Sequence, residues 1–168
     1  MKKVLLVLIA ALAFSCGAYA QRHNTGYAGI GIASNLRSAE EGLTGPTLTG
    51  GFRNYNRYSP VSFTAGAEGF FYYIPSRSIN AIGAFAIPEI GLAIGAPFFK
   101  VFFHSGVMIG YDSAATNSAG EKQGFVWGGK DGLAFEFGQH VTLDFSVYVP
   151  HYNFNKTLFA VNFIWRFN

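Results

Sequence analysis

Alternation of apolar and polar residues with a period of two is the strongest pattern in this chain, and it limits the possible folds most. It is clearest in His140–Val149 and Phe159–Phe167, and it recurs in Val61–Tyr73 and Lys100–Tyr111. Successive side chains of a β-strand point to opposite faces, so each segment predicts a strand with one apolar face. After residue 20 the sequence contains no apolar run long enough to predict a transmembrane helix. The chain is therefore predicted to be all-β.

Four weaker alternating segments bring the predicted number of strands to eight. Pro88 interrupts one of them and predicts a bulge or kink, because proline cannot donate a ladder hydrogen bond. Asp131 falls on the apolar face of another, which predicts a bulge near Gly128-Gly129. The weaker segments are Tyr27–Asn35, Pro46–Tyr55, Asn80–Ile94 and Phe125–Phe137.

The first twenty residues have the features of a secretory signal peptide. Lys2 and Lys3 precede the apolar stretch Val4–Phe14, and the small residues of an A-x-A cleavage site end at Ala20. Residues 1–20 are therefore predicted to be removed, and residues 21–168 to form a single domain. The alternative is a lipoprotein signal cleaved before Cys16, although the preceding Ala13-Phe14-Ser15 is a poor match to such a signal.

The connections between the predicted strands alternate between long and tight. The long polar ones cover roughly 36–45, 74–79, 112–124 and 150–156, and the tight ones lie near 56–60, 95–98 and 138–139. This alternation is typical of a transmembrane barrel, and an even strand count places both termini on one side. The long connections carry Arg37, Glu40, Glu41, Arg77, Glu121 and Lys122.

Composition favours a barrel whose outer surface meets lipid. Charged residues make up 12% of the chain and aromatic residues 17%, whereas about 25% charged residues is usual for a soluble domain. The fold is therefore predicted to be an eight-stranded antiparallel up-and-down β-barrel of the outer-membrane type, located in the bacterial outer membrane and contacting its lipid. An aromatic girdle at the two interfaces is predicted for Tyr73, Tyr111, Tyr148, Trp165 and Phe167.

The face opposite the apolar one carries charges of both signs. Eight strands leave an interior just wide enough for side chains, so these groups are predicted to pair with one another in a polar network that fills the lumen. The predicted network comprises Arg53, Glu68, Glu89, Lys100, His104, Lys130, Glu136, Asp144 and Arg166.

Several function classes lack support in the sequence. There is no basic run for nucleic-acid binding, and there is no catalytic or phosphate-binding signature or metal-ligand spacing. The chain is therefore expected to be non-enzymatic, with no cofactor, no metal, no nucleic-acid contact and no identified small-molecule substrate. An acid–base site at His104 is an alternative to the polar network. A membrane-embedded enzyme would need a nucleophile and a base at the outer rim.

Short motifs along most of residues 21–168 resemble those of the TraO family of conjugative transposon proteins. That resemblance implies an outer-membrane component of the conjugative transfer apparatus, with other transfer proteins as partners and no catalytic residues to carry over. The long connection after Tyr111-Asp112 and the more aromatic last strand depart from the family. The motifs are Gln21-Arg22-His23-x-x-Gly26, Glu68 with Tyr72-Tyr73, Pro88-Glu89-Ile90-Gly91, Gly110-Tyr111-Asp112, and Phe125-Val126-Trp127-Gly128-Gly129 ahead of Leu133-x-Phe135-Glu136.

The leading functional prediction is a structural component of a transfer apparatus or a surface adhesion barrel. The alternative is a secreted or lipid-anchored soluble β-barrel that turns its aromatic face inward and binds an apolar ligand. Alternation alone does not distinguish the two, because it does not say which face of the sheet is the outer one.

Overall fold

The computed structural model describes residues 22–34, 44–56, 59–74, 79–96, 98–113, 124–152 and 157–167. The predicted signal peptide, Cys16 and the charged loop residues Arg37, Glu40, Glu41, Arg77, Glu121 and Lys122 lie outside them. The strands are β1 (Arg22–Ser34), β2 (Thr44–Asn56), β3 (Ser59–Ile74), β4 (Ile79–Ala96), β5 (Phe99–Asp112), β6 (Phe125–Phe137), β7 (Val141–Pro150) and β8 (Leu158–Phe167).

The eight strands form a closed antiparallel barrel in chain order. Each strand pairs with its neighbours in sequence, and β1 also pairs with β8 from Gly26↔Phe167 to Ser34↔Phe159. The prediction of an eight-stranded antiparallel barrel is confirmed. Closure leaves no unpaired strand edge, which suits a sheet that faces lipid. Among the described residues, no helix is long and apolar enough to cross a membrane.

The two faces of the sheet differ sharply in chemistry. Most outward side chains are apolar, and every strand exposes some of them, whereas inward side chains include most of the charged groups and are buried. The alternative of a barrel with its aromatic face turned inward is therefore wrong. The physical reason is size: an eight-stranded lumen cannot hold the Phe, Ile and Trp side chains that these strands place on one face.

The two ends of the barrel differ in the lengths of their connections. At the terminal end, where β1 begins and β8 ends, the connections cover 57–58, 97–98 and 138–140; at the long-loop end they cover 35–43, 75–78, 113–124 and 151–157. Tyr73 and Tyr111 are exposed outward at the long-loop end, and Trp165 and Phe167 at the terminal end.

Tyr148 does not belong to the girdle. Its even position on β7 points it inward, where it is fully buried.

Neither predicted bulge occurs. Pro88 keeps its register with Ala65 on β3, and only the ladder pairs of Ile87 and Pro88 with β5 are missing. The absent proline N–H thus interrupts one ladder locally without inserting an extra residue. Pairing through Gly128-Gly129 is also continuous on both sides. Asp131 consequently stays on the outward face, where it is exposed.

Candidate functional site

The structure places eight of the nine charged or titratable residues predicted for the lumen in the barrel interior, each less than a tenth exposed. The ninth, Lys100, is half-buried near the terminal end and lies beside Glu136 in the β5–β6 ladder. The eight are Arg53, Glu68, Glu89, His104, Lys130, Glu136, Asp144 and Arg166.

Three of these residues form a terminal cluster, which we define as Arg53, Glu136 and Arg166. Glu136 Oε1 accepts a hydrogen bond from Arg53 Nη1 at 2.5 Å, and Glu136 Oε2 forms an ion pair with Arg166 Nη1 at 3.0 Å that is not aligned as a hydrogen bond. Arg166 Nη2 also donates to the Gly138 carbonyl at 2.9 Å, and Arg53 Nε donates to the Thr64 hydroxyl at 3.2 Å. One carboxylate thus offsets two guanidinium groups near the terminal end of the lumen.

The ring of Phe102 separates this cluster from the middle of the lumen. Arg53 Cζ lies 4.0 Å from the centroid of the Phe102 ring. The His104 ring also stacks on Phe102, with 5.3 Å between the ring centroids. Phe102 has no exposed surface. A Cβ at Gly91 would collide with this ring, so a glycine is required there for the ring to fill the lumen.

Beyond Phe102 lies a central cluster, which we define as Glu68, Glu89, His104, Lys130, Asp144 and Tyr148. Lys130 Nζ is 2.6 Å from Glu68 Oε1 and 2.6 Å from Glu89 Oε1, so it bridges two carboxylates. The Tyr148 hydroxyl donates to the other oxygen of Glu68. These contacts join strands β3, β4, β6 and β7 through the middle of the barrel.

His104 lies between two other carboxylate oxygens of the central cluster. Its Nε2 is 2.8 Å from Asp144 Oδ1, and its Nδ1 is 3.2 Å from Glu89 Oε2, although the latter contact is not aligned as a hydrogen bond. Asp144 Oδ2 accepts from the Ser146 hydroxyl at 2.8 Å and from Asn162 Nδ2 at 3.4 Å. The network therefore continues from β4 through β5 and β7 to β8.

An apolar cap covers the central cluster toward the long-loop end. The Phe70 ring makes edge contacts with the Phe85 and Tyr148 rings at 5.6 and 5.0 Å between centroids. A gap lined by Ala33, Phe70 and Leu158, among others, has a volume of about 10 Å³, the smallest space that holds one water molecule. At this end of the barrel, side chains therefore fill the described interior.

This arrangement bears on the acid–base alternative for His104. Both ring nitrogens face carboxylate oxygens, and the nearby Ser146 hydroxyl donates to Asp144. A base needs a reacting group within hydrogen-bond reach, and His104 is instead enclosed by Phe102, Glu89 and Asp144. The geometry supports a role for His104 in joining strands.

Several interior residues are absent from the predicted polar network. Alternation places Phe102 and Tyr148 on the mixed face of their strands, but Phe102 was not included in the network and Tyr148 was assigned to the girdle. Thr47 and Asn162 were also not included; the Thr47 hydroxyl donates to Asn162 Oδ1 at 2.6 Å. Strict alternation along each strand is the signal that identifies all four, because even-numbered residues point inward on β5, β7 and β8 and odd-numbered residues point inward on β2.

Comparison with known proteins gives a match at the level of structure. No family model and no curated protein matches the sequence. A solved structure that does match is the crystal structure of the outer membrane enzyme PagL, with a TM-score of 0.47 and 10% sequence identity, covering 87% of this chain and 99% of that chain. The resemblance to the TraO family stays a prediction, since none of these comparisons concerns it.

The sequence-based prediction that the chain is not an enzyme is contradicted by this comparison and does not stand, because the matching structure is that of an outer membrane enzyme. The prediction relied on the absence of catalytic signatures, which are runs of residues close together in sequence. In a barrel, neighbouring strands can assemble a site from residues far apart in the chain. At this level of similarity, the comparison carries no activity over to this chain.

Proposed function

We propose that this protein is an integral outer-membrane barrel that anchors part of a cell-envelope assembly. The observation that carries the proposal is the outward belt of exposed apolar and aromatic side chains, to which all eight strands contribute. Its members include Ile30, Leu48, Phe71, Ile90, Phe103, Trp127, Phe145 and Phe163. Soluble monomers rarely expose apolar patches of this extent. Strands of 10 to 18 residues are also long enough for a tilted crossing of the hydrocarbon.

An anchoring role agrees with the filled interior. Phe102, Met108 and Tyr148 are fully buried inside the barrel; Phe102 lies between the two charged clusters, and Tyr148 belongs to the central one. Such an interior offers no continuous passage through the described part of the chain. Contacts with other molecules are then made by the outer surface and by the ends of the barrel.

Membrane fractionation tests the proposed insertion. We expect the chain without residues 1–20, when refolded into lipid vesicles, to resist extraction by high salt and alkaline carbonate and to be released only by detergent. On gels, unboiled protein is expected to migrate differently from boiled protein, because a closed barrel stays folded until it is heated. Release into aqueous buffer, or identical migration with and without boiling, contradicts the proposal.

The assembly we propose is a conjugative transfer apparatus, and its support is the resemblance of the sequence motifs to the TraO family. In a donor strain that carries this gene on a transferable element, deletion of the gene is expected to lower transfer frequency by at least about tenfold. The full chain should restore transfer, whereas a matched version without residues 1–20 should not, since it lacks the predicted export signal. Unchanged transfer after deletion would contradict the proposed assembly, but it would not contradict the proposed membrane insertion.

A further inference from the structure

One acidic side chain lies on the outward face, at the middle of the apolar belt. Asp131 stands at the centre of β6 (Phe125–Phe137), points outward and is exposed. Asp131 is the only charged residue among the outward side chains that the structure describes. An ionisable group at this depth is unfavourable in hydrocarbon, and such groups generally mark a functional contact.

Ser105 is the direct neighbour of Asp131 across the β5–β6 ladder, and it is also exposed outward. Within the described strands, neither side chain has a hydrogen bond or an ion pair. Their other ladder neighbours, Ile90 on β4 and Val147 on β7, are apolar. The two residues therefore form a polar pair, a hydroxyl donor beside a carboxylate acceptor, surrounded by apolar surface.

We propose that this face binds a second copy of the chain within the membrane. A two-fold axis between β5 and β6 places Ser105 of each copy opposite Asp131 of the other, because a two-fold contact exchanges the two positions. Each hydroxyl then donates to a carboxyl group across the interface. The pair is thus self-complementary, and a second copy supplies the missing partner for both groups without any further molecule.

The surrounding surface permits a close approach. Outward positions on β4 next to this face are occupied by the small residues Ala84 and Ala86 and by Pro88, and the outward position of β6 two residues before Asp131 is Gly129. Small residues at membrane interfaces allow backbones to approach each other, which strengthens interfacial hydrogen bonds and dispersion contacts.

The inference rests on the proposed membrane insertion, so the test measures both. Residues 21–168 contain no cysteine, and a single Val107→Cys variant places a thiol on β5 beside Ser105. An Ile30→Cys variant places a matched thiol on β1, away from the proposed interface. Refolded into vesicles of uncharged phospholipid, Val107→Cys is expected to give covalent dimers with a short bismaleimide, and Ile30→Cys is not.

Asp131→Leu in the Val107→Cys background is expected to weaken dimerisation by about tenfold in a lipid-dilution series. Ser105→Ala should weaken it similarly, and the two together should add little, because both remove the same hydrogen bonds. Each variant is checked for heat-dependent gel migration. Failure of the parent to insert contradicts the proposed function. An inserted parent that stays monomeric, or an inserted Asp131→Leu variant that dimerises like the parent, overturns this inference alone.

Discussion

Replacing Glu136 with alanine is expected to lower the free energy of unfolding by about 3–5 kcal/mol. Glu136 is the carboxylate that both Arg53 and Arg166 contact, at 2.5 and 3.0 Å. Its removal leaves two buried guanidinium groups without the carboxylate that both of them contact. Breaking a buried pair by removing one partner is much more unfavourable than losing an exposed ion pair.

The measurement is urea unfolding of refolded protein in lipid vesicles, followed by tryptophan fluorescence. Phe137→Leu serves as the matched control, since it changes the next residue of the same strand on the opposite, outward face, where no ion pair is lost. Its free energy of unfolding should fall by much less. Equal losses for the two variants would show that the terminal cluster does not stabilise the barrel.

A second comparison separates the loss of the carboxylate from the loss of packing. Glu136→Gln keeps the shape of the side chain and one acceptor oxygen but removes the charge. We expect it to recover only part of the stability, because the two arginines still lack a compensating charge in the interior. Full recovery would mean that the hydrogen bonds alone, and not the ion pairs, account for the effect.

The strands and their pairing could be predicted from sequence because one physical rule governs both. An outward position must be compatible with the surroundings of the barrel and an inward position must fit a narrow lumen, so the two sets alternate strictly. Glu68, His104 and Asp144 stand at inward positions for this reason, although they come from three different strands. The alternation along a strand assigns each residue to one face of the sheet, but it does not reveal which residues that side chain contacts.

Details that depend on three-dimensional contacts could not be read from the sequence. Tyr148 was assigned to the girdle because tyrosine is common at membrane interfaces, yet its inward position brings its hydroxyl to Glu68, 80 residues away in the chain. The bulge at Gly128-Gly129 was predicted because Asp131 falls on the apolar face of its strand, where an acidic residue was not expected. The ladders on both sides of β6 are continuous, so Asp131 lies on the outer surface of a regular strand.

The ordering of the lumen into layers also arises from contacts between distant residues. Arg53 on β2, Phe102 on β5 and His104 on β5 stack in that order because β2 and β5 lie across the lumen from each other. Glycines on the two neighbouring strands make this possible; a Cβ at Gly132, the ladder partner of His104 on β6, would collide with the His104 ring. Sequence alone indicates that glycine is abundant, whereas only the structure shows which ring each glycine accommodates.

Replacing Ile30 with arginine should distinguish a lipid-facing belt from a surface that faces water. Ile30 is 65% exposed in the central part of β1, and its ladder neighbours Phe163 and Leu48 are also outward and apolar. If this belt lies in hydrocarbon, the arginine is expected to lower the free energy of unfolding in vesicles by about 2–4 kcal/mol. If the belt faces water, exchange of an exposed isoleucine for arginine changes stability by less than about 0.5 kcal/mol.

The matched control is the same exchange at Ile94, which is 57% exposed and lies two residues before the end of β4 at the terminal end of the barrel. Near the membrane interface an arginine is expected to lower the free energy of unfolding by about 0–1 kcal/mol, because its guanidinium group reaches the headgroups. A large loss at Ile30 with a small loss at Ile94 locates the hydrocarbon around the middle of the strands. Equal, small effects at both positions would contradict membrane insertion, because the outward belt would then be in contact with water along its whole height.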